Sequence, residues 1–410
     1  LEALVLLLDK IGKSLEVDEV LKQLLDGLLT VFPDADHGVA ALLDEETGAV
    51  TPLAVRSKSP SATAEEIRLS QTIVDRVLES GEAVLSANAM QDDRFRASRS
   101  LMSMNVRSLM CVPLMGRSGN RMGVIQLDAS GEVGRFSRQD LAVLASILPH
   151  AVSSMEYAKI HAEELRQQAI QGDLEFARQI QRNFLPSRQP QIEGYDFFSF
   201  YEAAYRVGGD YYDYVALSDD RMGVVVADVA GKGVSAALLM SKFAGEFKYL
   251  LSREEALDRA VKRMNDVLTA DETMTRFITM AIAVLDPRSH QVTLVNAGHT
   301  DPLLRAADGG VTEIGEEEKG APLGLFPEQH YQTTRFALGR GDVLLLYTDG
   351  INEATRADDA LYGVDRLKRV ASEGAADAAD LGGKIISDVH RFVGGRPQSD
   401  DLCVLCIQRS

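Results

Sequence analysis

Five aspartates stand where apolar runs meet turn residues. They are Asp210 in "VGGDYYD", Asp228 in "VVVADVAGKG", Asp349 in "VLLLYTDG", and Asp400 with Asp401 in "PQSDDLCVL". Taken singly, each is an ordinary hairpin corner, because Asp-Gly and Ser-Asp pairs are common turn formers. Together they carry more weight. The runs beside them are β-branched or leucine-rich, so their ends should collect on one edge of packed sheets. Converging carboxylates repel and raise one another's pKa unless a cation intervenes. No histidine or cysteine cluster accompanies them, and an all-oxygen donor set favours hard ions, Mg²⁺ or Mn²⁺, over zinc. The Gly-Lys-Gly after Asp228 lacks the P-loop spacing. Lys232 therefore has two readings, a neutraliser of phosphate or a cap of its turn. Arg206, four residues before Asp210, could meet a substrate phosphate or pair with a neighbouring acid. His299, in "VNAGHTDP", reads first as a turn stabiliser and second as a catalytic group.

The elements that must hold these residues fall into three zones. Residues 1–150 open with a helix in which Val20, Leu21, Leu24, Leu25 and Leu28 recur at spacings of three and four. Short alternating strands follow, including a hairpin turned at Arg117 to Asn120. A closing helix starts at Ser137, with Asp140 three residues on as the partner in a capping box. Residues 151–186 form a polar helical linker. Its small-residue seam, Val152, Met155, Ala158, Ala162, Leu165 and Ala169, suits self-association as in a coiled coil, and Gly172 is a place to bend. Residues 187–410 carry the aspartates. The expected class is α+β throughout.

Composition narrows the function. The 410 residues carry a formal charge of -18, which argues against nucleic acid. No apolar stretch reaches a membrane span, and no basic leader precedes "LEALVLLLDK", so no membrane partner and a cytoplasmic location are expected. The chain starts at Leu1 rather than a methionine, as a fragment with an upstream part would. Cys111, Cys403 and Cys406 are too few for a disulfide framework. The odd spacing of Cys403 and Cys406 puts them on opposite faces of one strand, as buried thiols rather than a redox or zinc pair. A lone His37 and Cys111 read as structural before they read as cofactor handles.

Two resemblances sharpen this picture. The first 155 or so residues resemble a GAF domain in element order, in "SLMCVPL" followed by "MGVIQLD", and in "NAMQDDRF". The cyclic-nucleotide signature of that family is missing, so the implied signal is a small molecule or protein of unknown identity. Residues from about 174 to 408 resemble the SpoIIE-type branch of the metal-dependent (PPM, type 2C) serine/threonine protein phosphatases. The marks are "LEFARQIQRNFLP", "VGGDYYD", "VADVAGKG", "NAGH", "GAPLGL", "LLLYTDGINEA" and "SDDLCVL". That resemblance implies an αββα sandwich with two Mn²⁺ or Mg²⁺ ions at one edge. Asp228 would bridge them, and Asp210 with the Val229 carbonyl would hold the second ion. Asp349 and Asp400 would hold the first, with Asp401 assisting through water. Two such ions would share and acidify a water that attacks a phosphoryl group. The implied substrate is a phosphoserine or phosphothreonine of a regulatory protein such as an anti-sigma-factor antagonist; the linker's seam, separately, makes a homodimer the expected assembly. Lys232 stands where relatives outside the branch often place a histidine.

Two other classes compete. A catalytically silent module would bind the phosphoprotein without turning it over. A nucleotide cyclase is suggested by "GGD" at Gly208 to Asp210, but Tyr211 and Tyr212 replace the acid and phenylalanine that such a hairpin requires.

Overall fold

The computed structural model describes residues 2–44, 47–59, 69–86, 106–130, 135–271 and 276–410. It divides into two compact units, Leu1–Ile170 and Gln171–Ser410. The expected "NAMQDDRF" segment lies outside the described residues.

In the first unit, helices α1 (Glu2–Lys13), α2 (Val17–Val31) and α3 (Gln71–Ser80) accompany a five-stranded antiparallel sheet. Its strands are β1 (His37–Leu43), β2 (Val50–Ser57), β3 (Val84–Ser86), β4 (Val106–Met115) and β5 (Arg121–Ser130), in the order β2-β1-β5-β4-β3. The period-two alternation sorts the sheet's faces. Ile125, Leu127 and Ala129 pack with the α2 leucines, while Val124, Leu109 and Cys111 pack under α3. The helical stripe Val20, Leu21, Leu24, Leu25 and Leu28 is fully buried, as its spacing predicts.

Helix α4 (Arg138–Arg182) is one element of 45 residues where the sequence suggested a closing helix followed by a linker. Its start is the expected capping box: Asp140 Oδ2 accepts from the Ser137 amide at 2.8 Å, and Ser137 Oγ accepts from the Asp140 amide at 3.2 Å. Pro149 sits inside without ending it. A proline removes one backbone bond and crowds the preceding turn; here Leu148, Ala151, Val152 and Met155 bury against the first unit's core and hold the helix on course. The same burial corrects the expected seam, because Val152 and Met155 are core residues and not free for a partner. The helix also runs through Gly172 without interruption. No described helix is long and apolar enough to cross a membrane.

The second unit stacks two five-stranded antiparallel sheets. One contains β7 (Tyr211–Ala216), β8 (Met222–Val229), β9 (Ile278–Asp286), β10 (Gln291–Ala297) and β13 (Thr334–Ala337). The other contains β6 (Tyr195–Glu202), β11 (Leu303–Arg305), β12 (Val311–Glu313), β14 (Val343–Tyr347) and β15 (Leu402–Arg409). Between them lies a shared core of Val224, Val226, Ala281 and Ala283 against Leu344, Leu346, Cys403 and Leu405. Helices α5 (Val234–Arg253) and α6 (Leu257–Thr269) cover the first sheet through Phe243, Phe247 and Met264. The other sheet is covered by α8 (Val364–Ser372) and α9 (Ala378–Val393), with a short α7 (Asp349–Asn352) preceding them. Helix, sheet, sheet, helix is the αββα order. Cys403 faces the inter-sheet core and Cys406 the helical layer, both fully buried, as their spacing requires.

Candidate metal centre

Each aspartate is delivered by a strand end. Asp228 is the penultimate residue of β8, and antiparallel pairing of Tyr211 with Ala227 brings Asp210, just ahead of β7, beside it. Asp349 follows β14 and opens α7, while Asp400 and Asp401 immediately precede β15, the neighbour of β14. One sheet thus supplies Asp210 and Asp228, and the other supplies Asp349, Asp400 and Asp401.

The two sheet ends are laced together by hydrogen bonds. Asp401 Oδ1 accepts from the Ala204 amide at 2.8 Å, and its Oδ2 accepts from the amides of Gly209 at 2.7 Å and Asp210 at 3.3 Å. Asp401 is therefore a staple for the 204–210 loop. Both of its oxygens serve backbone donors, a positioning role that the sequence reading did not anticipate. Thr348, fully buried, donates to Asp210 Oδ2 at 2.7 Å and accepts from the Cys403 amide at 3.1 Å. Sequence reading missed Thr348, for a threonine before Asp-Gly has no signature of its own. Close approach also dictates two glycines: a Cβ on Gly208 would collide with Tyr201 Oη and Asp401 Oδ2, and one on Gly350 with the Asp401 carbonyl.

Electrostatically the edge is over-charged. Burial, then Asp228 and Asp401, pushes the Asp210 carboxyl well above the usual range, although Thr348 opposes the shift. Burial, followed by Asp349 and Asp400, lifts Asp228 to about 7. Asp349 rises to about 6 through burial, Asp400 and Glu353. Carboxylates that raise each other at the ends of two sheets, offset only in part by Lys232, form a hard-oxygen donor set that a divalent cation fits. Val229 lies in the same place, its carbonyl 3.1 Å from where a Gly209 Cβ would stand, with Asp228 Oδ1 at 3.4 Å from the same point. Among the described residues, however, no three acidic, imidazole or thiol groups already stand in an ion-holding geometry. Thr348 engages Asp210, backbone amides engage Asp401, and Lys232 engages Asp400.

Lys232 Nζ lies 2.8 Å from Asp400 Oδ2 and donates to the Ser399 carbonyl. In this arrangement it caps the acidic turn, the second of its two readings. Arg206 likewise takes the second of its two readings. Its guanidinium lies 3.5 Å from Glu175 and half exposed, in the salt-bridge role the sequence offered as its alternative. His299 is buried and its imidazole is pushed down to about 3 by desolvation. Its Nδ1 shares a 2.8 Å hydrogen bond with Thr279 Oγ1, and its amide donates to Asn296 Oδ1 at 2.8 Å. Those contacts hold the turn after β10. A neutral, enclosed imidazole is not a proton donor for a leaving group.

The end of α4 reaches this edge too. Gln181 Nε2 donates to the Gly208 carbonyl at 2.6 Å, while its Oε1 accepts from the Gly208 amide at 3.1 Å. The side chain is 5% exposed. Nothing in the sequence around Gln181 signals this bidentate grip.

Comparison with known proteins agrees with the architecture. Residues 218–410 match the family described as Stage II sporulation protein E (SpoIIE), and residues 14–156 match a GAF domain. Phosphoserine phosphatase RsbU of Bacillus subtilis is 29% identical over 215 residues, covering 52% of this chain and 64% of the relative. Phosphoserine phosphatase RsbP of the same organism is 28% identical over 243 residues, 57% of each chain. Protein IcfG of Synechocystis is 24% identical over 312 residues, 69% of this chain and 49% of its own length. The chain thus spans about half to two thirds of the length of these three relatives. Among solved structures, the SiaA-PP2C domain of Pseudomonas aeruginosa superposes with a TM-score of 0.51 at 23% identity, over 60% of this chain and 99% of that one. That likeness is one of fold.

Proposed function

We propose that this chain, in which a GAF domain is joined to a SpoIIE-type domain, is a signal-regulated, metal-dependent protein serine/threonine phosphatase. The observation that carries the reading is the gathering of Asp210, Asp228 and Asp349 at one edge, buried and mutually raised in pKa. Such an edge is unfavourable by itself and becomes favourable around cations. Bound there, two Mn²⁺ or Mg²⁺ ions would neutralise the carboxylates, acidify a water and offset charge developing on a phosphoryl group.

The chain's own residues divide the remaining work. Asp228, central to the cluster, would bridge; Asp210 and the Val229 carbonyl would serve one ion, and Asp349 and Asp400 the other. Thr348 fixes the Asp210 carboxylate, and Asp401 keeps the 204–210 loop closed over it. Taking up a cation at Asp400 requires Lys232 to leave it, which frees an ammonium beside the reacting phosphate. The substrate class is a phosphoserine or phosphothreonine on a regulatory protein, supported by relatives named phosphoserine phosphatases. The GAF domain would receive the signal, a homodimer would relay it, and α4 would carry it to Gly208 through Gln181.

The test is hydrolysis of a phosphoserine peptide and of para-nitrophenyl phosphate with Mn²⁺, with Mg²⁺ and with EDTA. Expected is turnover with either metal, none in EDTA, and loss of at least about a thousandfold in Asp228→Asn, equivalent to roughly 4 kcal/mol of transition-state stabilisation. Unchanged turnover in Asp228→Asn would overturn the reading.

A further inference from the structure

Behind the 204–210 loop, on the side of Gly208 where α4 ends, lies a cavity of about 430 Å³. Three arginines are among its lining residues, Arg178 and Arg182 from α4 and Arg206 from the loop. Glu202 is its one acidic lining residue, and Tyr201 and Tyr212 also line it, their ring centroids 6.4 Å apart. In a chain of formal charge -18, a concave surface with this balance is an electrostatic exception.

The guanidiniums are under-compensated. Arg178 and Arg206 share a single carboxylate, Glu175, at 3.8 and 3.5 Å. Those are long contacts at half-exposed side chains, so they hold the arginines loosely. Arg182 has no ion-pair partner among the described residues. The Tyr201 hydroxyl is buried without a hydrogen-bond partner. Planar guanidinium forks match the oxygens of a phosphoryl group in pairs, and a wall of two phenol rings suits a small apolar or planar body attached to it. The volume accommodates such a molecule and is too small for a folded partner.

We propose that this cavity is a binding site for a small phosphate monoester, separate from the metal centre and placed to act on it. The phosphoryl group takes the forks of Arg178, Arg182 and Arg206, and the ester's organic part lies on Tyr201 and Tyr212. Occupancy ties the last turns of α4 to the 204–210 loop. Gln181, one wall of the same cavity, already grips Gly208 two residues before Asp210. A ligand here thus reports on, and alters, the position of Asp210. The site itself does not depend on the phosphatase reading, whereas its coupling to the metal centre does.

The experiment uses the full chain and phenylphosphonate, a phosphate-ester analogue that cannot be hydrolysed. Isothermal titration in EDTA removes metal from the acidic edge, which then repels the probe. One saturable site per chain is expected, weakened at least tenfold in Arg178→Gln/Arg182→Gln and unchanged in Lys232→Gln. Arg182→Gln alone, at an exposed position, gives the same direction should the double variant melt early. Absence of saturable binding in EDTA, or binding that ignores the arginine variants, overturns the site. A second titration, of Mn²⁺ with and without the probe, should show a several-fold change in metal affinity in the parent chain that exceeds the change in the double variant. Equal changes overturn the coupling and leave the EDTA result standing by itself.

Discussion

Asp210 and Asp213 lie three residues apart and are equally buried, each 2% exposed, yet their surroundings are opposite. Asp213 points from β7 toward α5, where Lys248 Nζ meets its Oδ2 at 2.8 Å, the Tyr211 hydroxyl donates at 2.8 Å, and the Tyr214 amide satisfies Oδ1. Asp210 has one hydroxyl donor, Thr348, and otherwise faces Asp228, Asp401 and Asp349. Burial alone does not distinguish a structural carboxylate from a functional one. The balance of charge around it does, because an unpaired buried carboxylate persists only where something outside the folded chain rewards it.

The largest effect that could break this contrast is on activity. Asp210→Asn should lower kcat/KM by about a hundredfold to a thousandfold, equivalent to roughly 3 to 4 kcal/mol, while the metal-free protein melts at the same temperature or higher because a repelling charge is gone. Asp213→Asn should do the reverse. Activity persists, and unfolding free energy falls by about 1 to 3 kcal/mol as Tyr211 and Lys248 lose their charged acceptor. Denaturant melts in EDTA beside steady-state kinetics decide it; if Asp210→Asn destabilises as much as Asp213→Asn does, the distinction fails.

A third buried aspartate sharpens the point in the other unit. Asp128, on β5, is 1% exposed, and burial lifts its carboxyl to about 6, with His37 and Gln126 opposing and Asp36 adding to the rise. Its folded pKa lies above the unfolded value near 3.9, so the folded state holds the proton more tightly. The resulting penalty is absent below about pH 4, grows as pH rises toward 6, and is complete above it. A shift of about two units corresponds to at most roughly 3 kcal/mol. Asp128→Asn should therefore melt higher than the parent at pH 7.5, with a smaller advantage at pH 5.5. A constant difference between the two pH values would show that the proton is not involved.

Much of this was legible beforehand because it follows from periodicity. The α2 stripe, the Ser137 and Asp140 capping box, the 117–120 hairpin and the opposed cysteines of β15 each depend on residues close in sequence. The five aspartates were legible as strand ends. What stayed hidden depends on contacts across long stretches of chain. Thr348 reaches Asp210 over 138 positions, and Asp401 reaches Gly209 over 192. Lys232 could not be assigned from its turn alone, because its partner Asp400 arrives on a different sheet. At Pro149 a local helix breaker is overridden by tertiary burial of the residues around it.

Thr348 offers a finer cut through the acidic edge. Thr348→Val keeps the shape but removes the donor to Asp210 and the acceptor for the Cys403 amide. The cost should be about 1 to 3 kcal/mol in stability. A several-fold rise in the Mn²⁺ concentration needed for half-maximal activity should accompany it, with kcat at saturating metal largely kept. A loss confined to kcat, with metal dependence unmoved, would place Thr348 in the chemistry instead of in the positioning of Asp210.

The smallest effect concerns Lys232, and it separates two meanings of the same contact. The ion pair with Asp400 is 47% and 35% exposed at its two side chains, so its net worth to stability is below about 1 kcal/mol. Lys232→Gln should leave the melting temperature nearly unchanged. In the metal-free chain the ammonium occupies a carboxylate that a divalent cation would otherwise use, so its removal takes away a competitor. Mn²⁺ should then bind a few-fold more tightly in a direct titration. If Lys232 instead acts mainly on the substrate phosphate, metal affinity stays constant and KM for the phosphopeptide rises. Both measurements on one variant therefore tell whether this lysine stands in for the metal or waits for the phosphate.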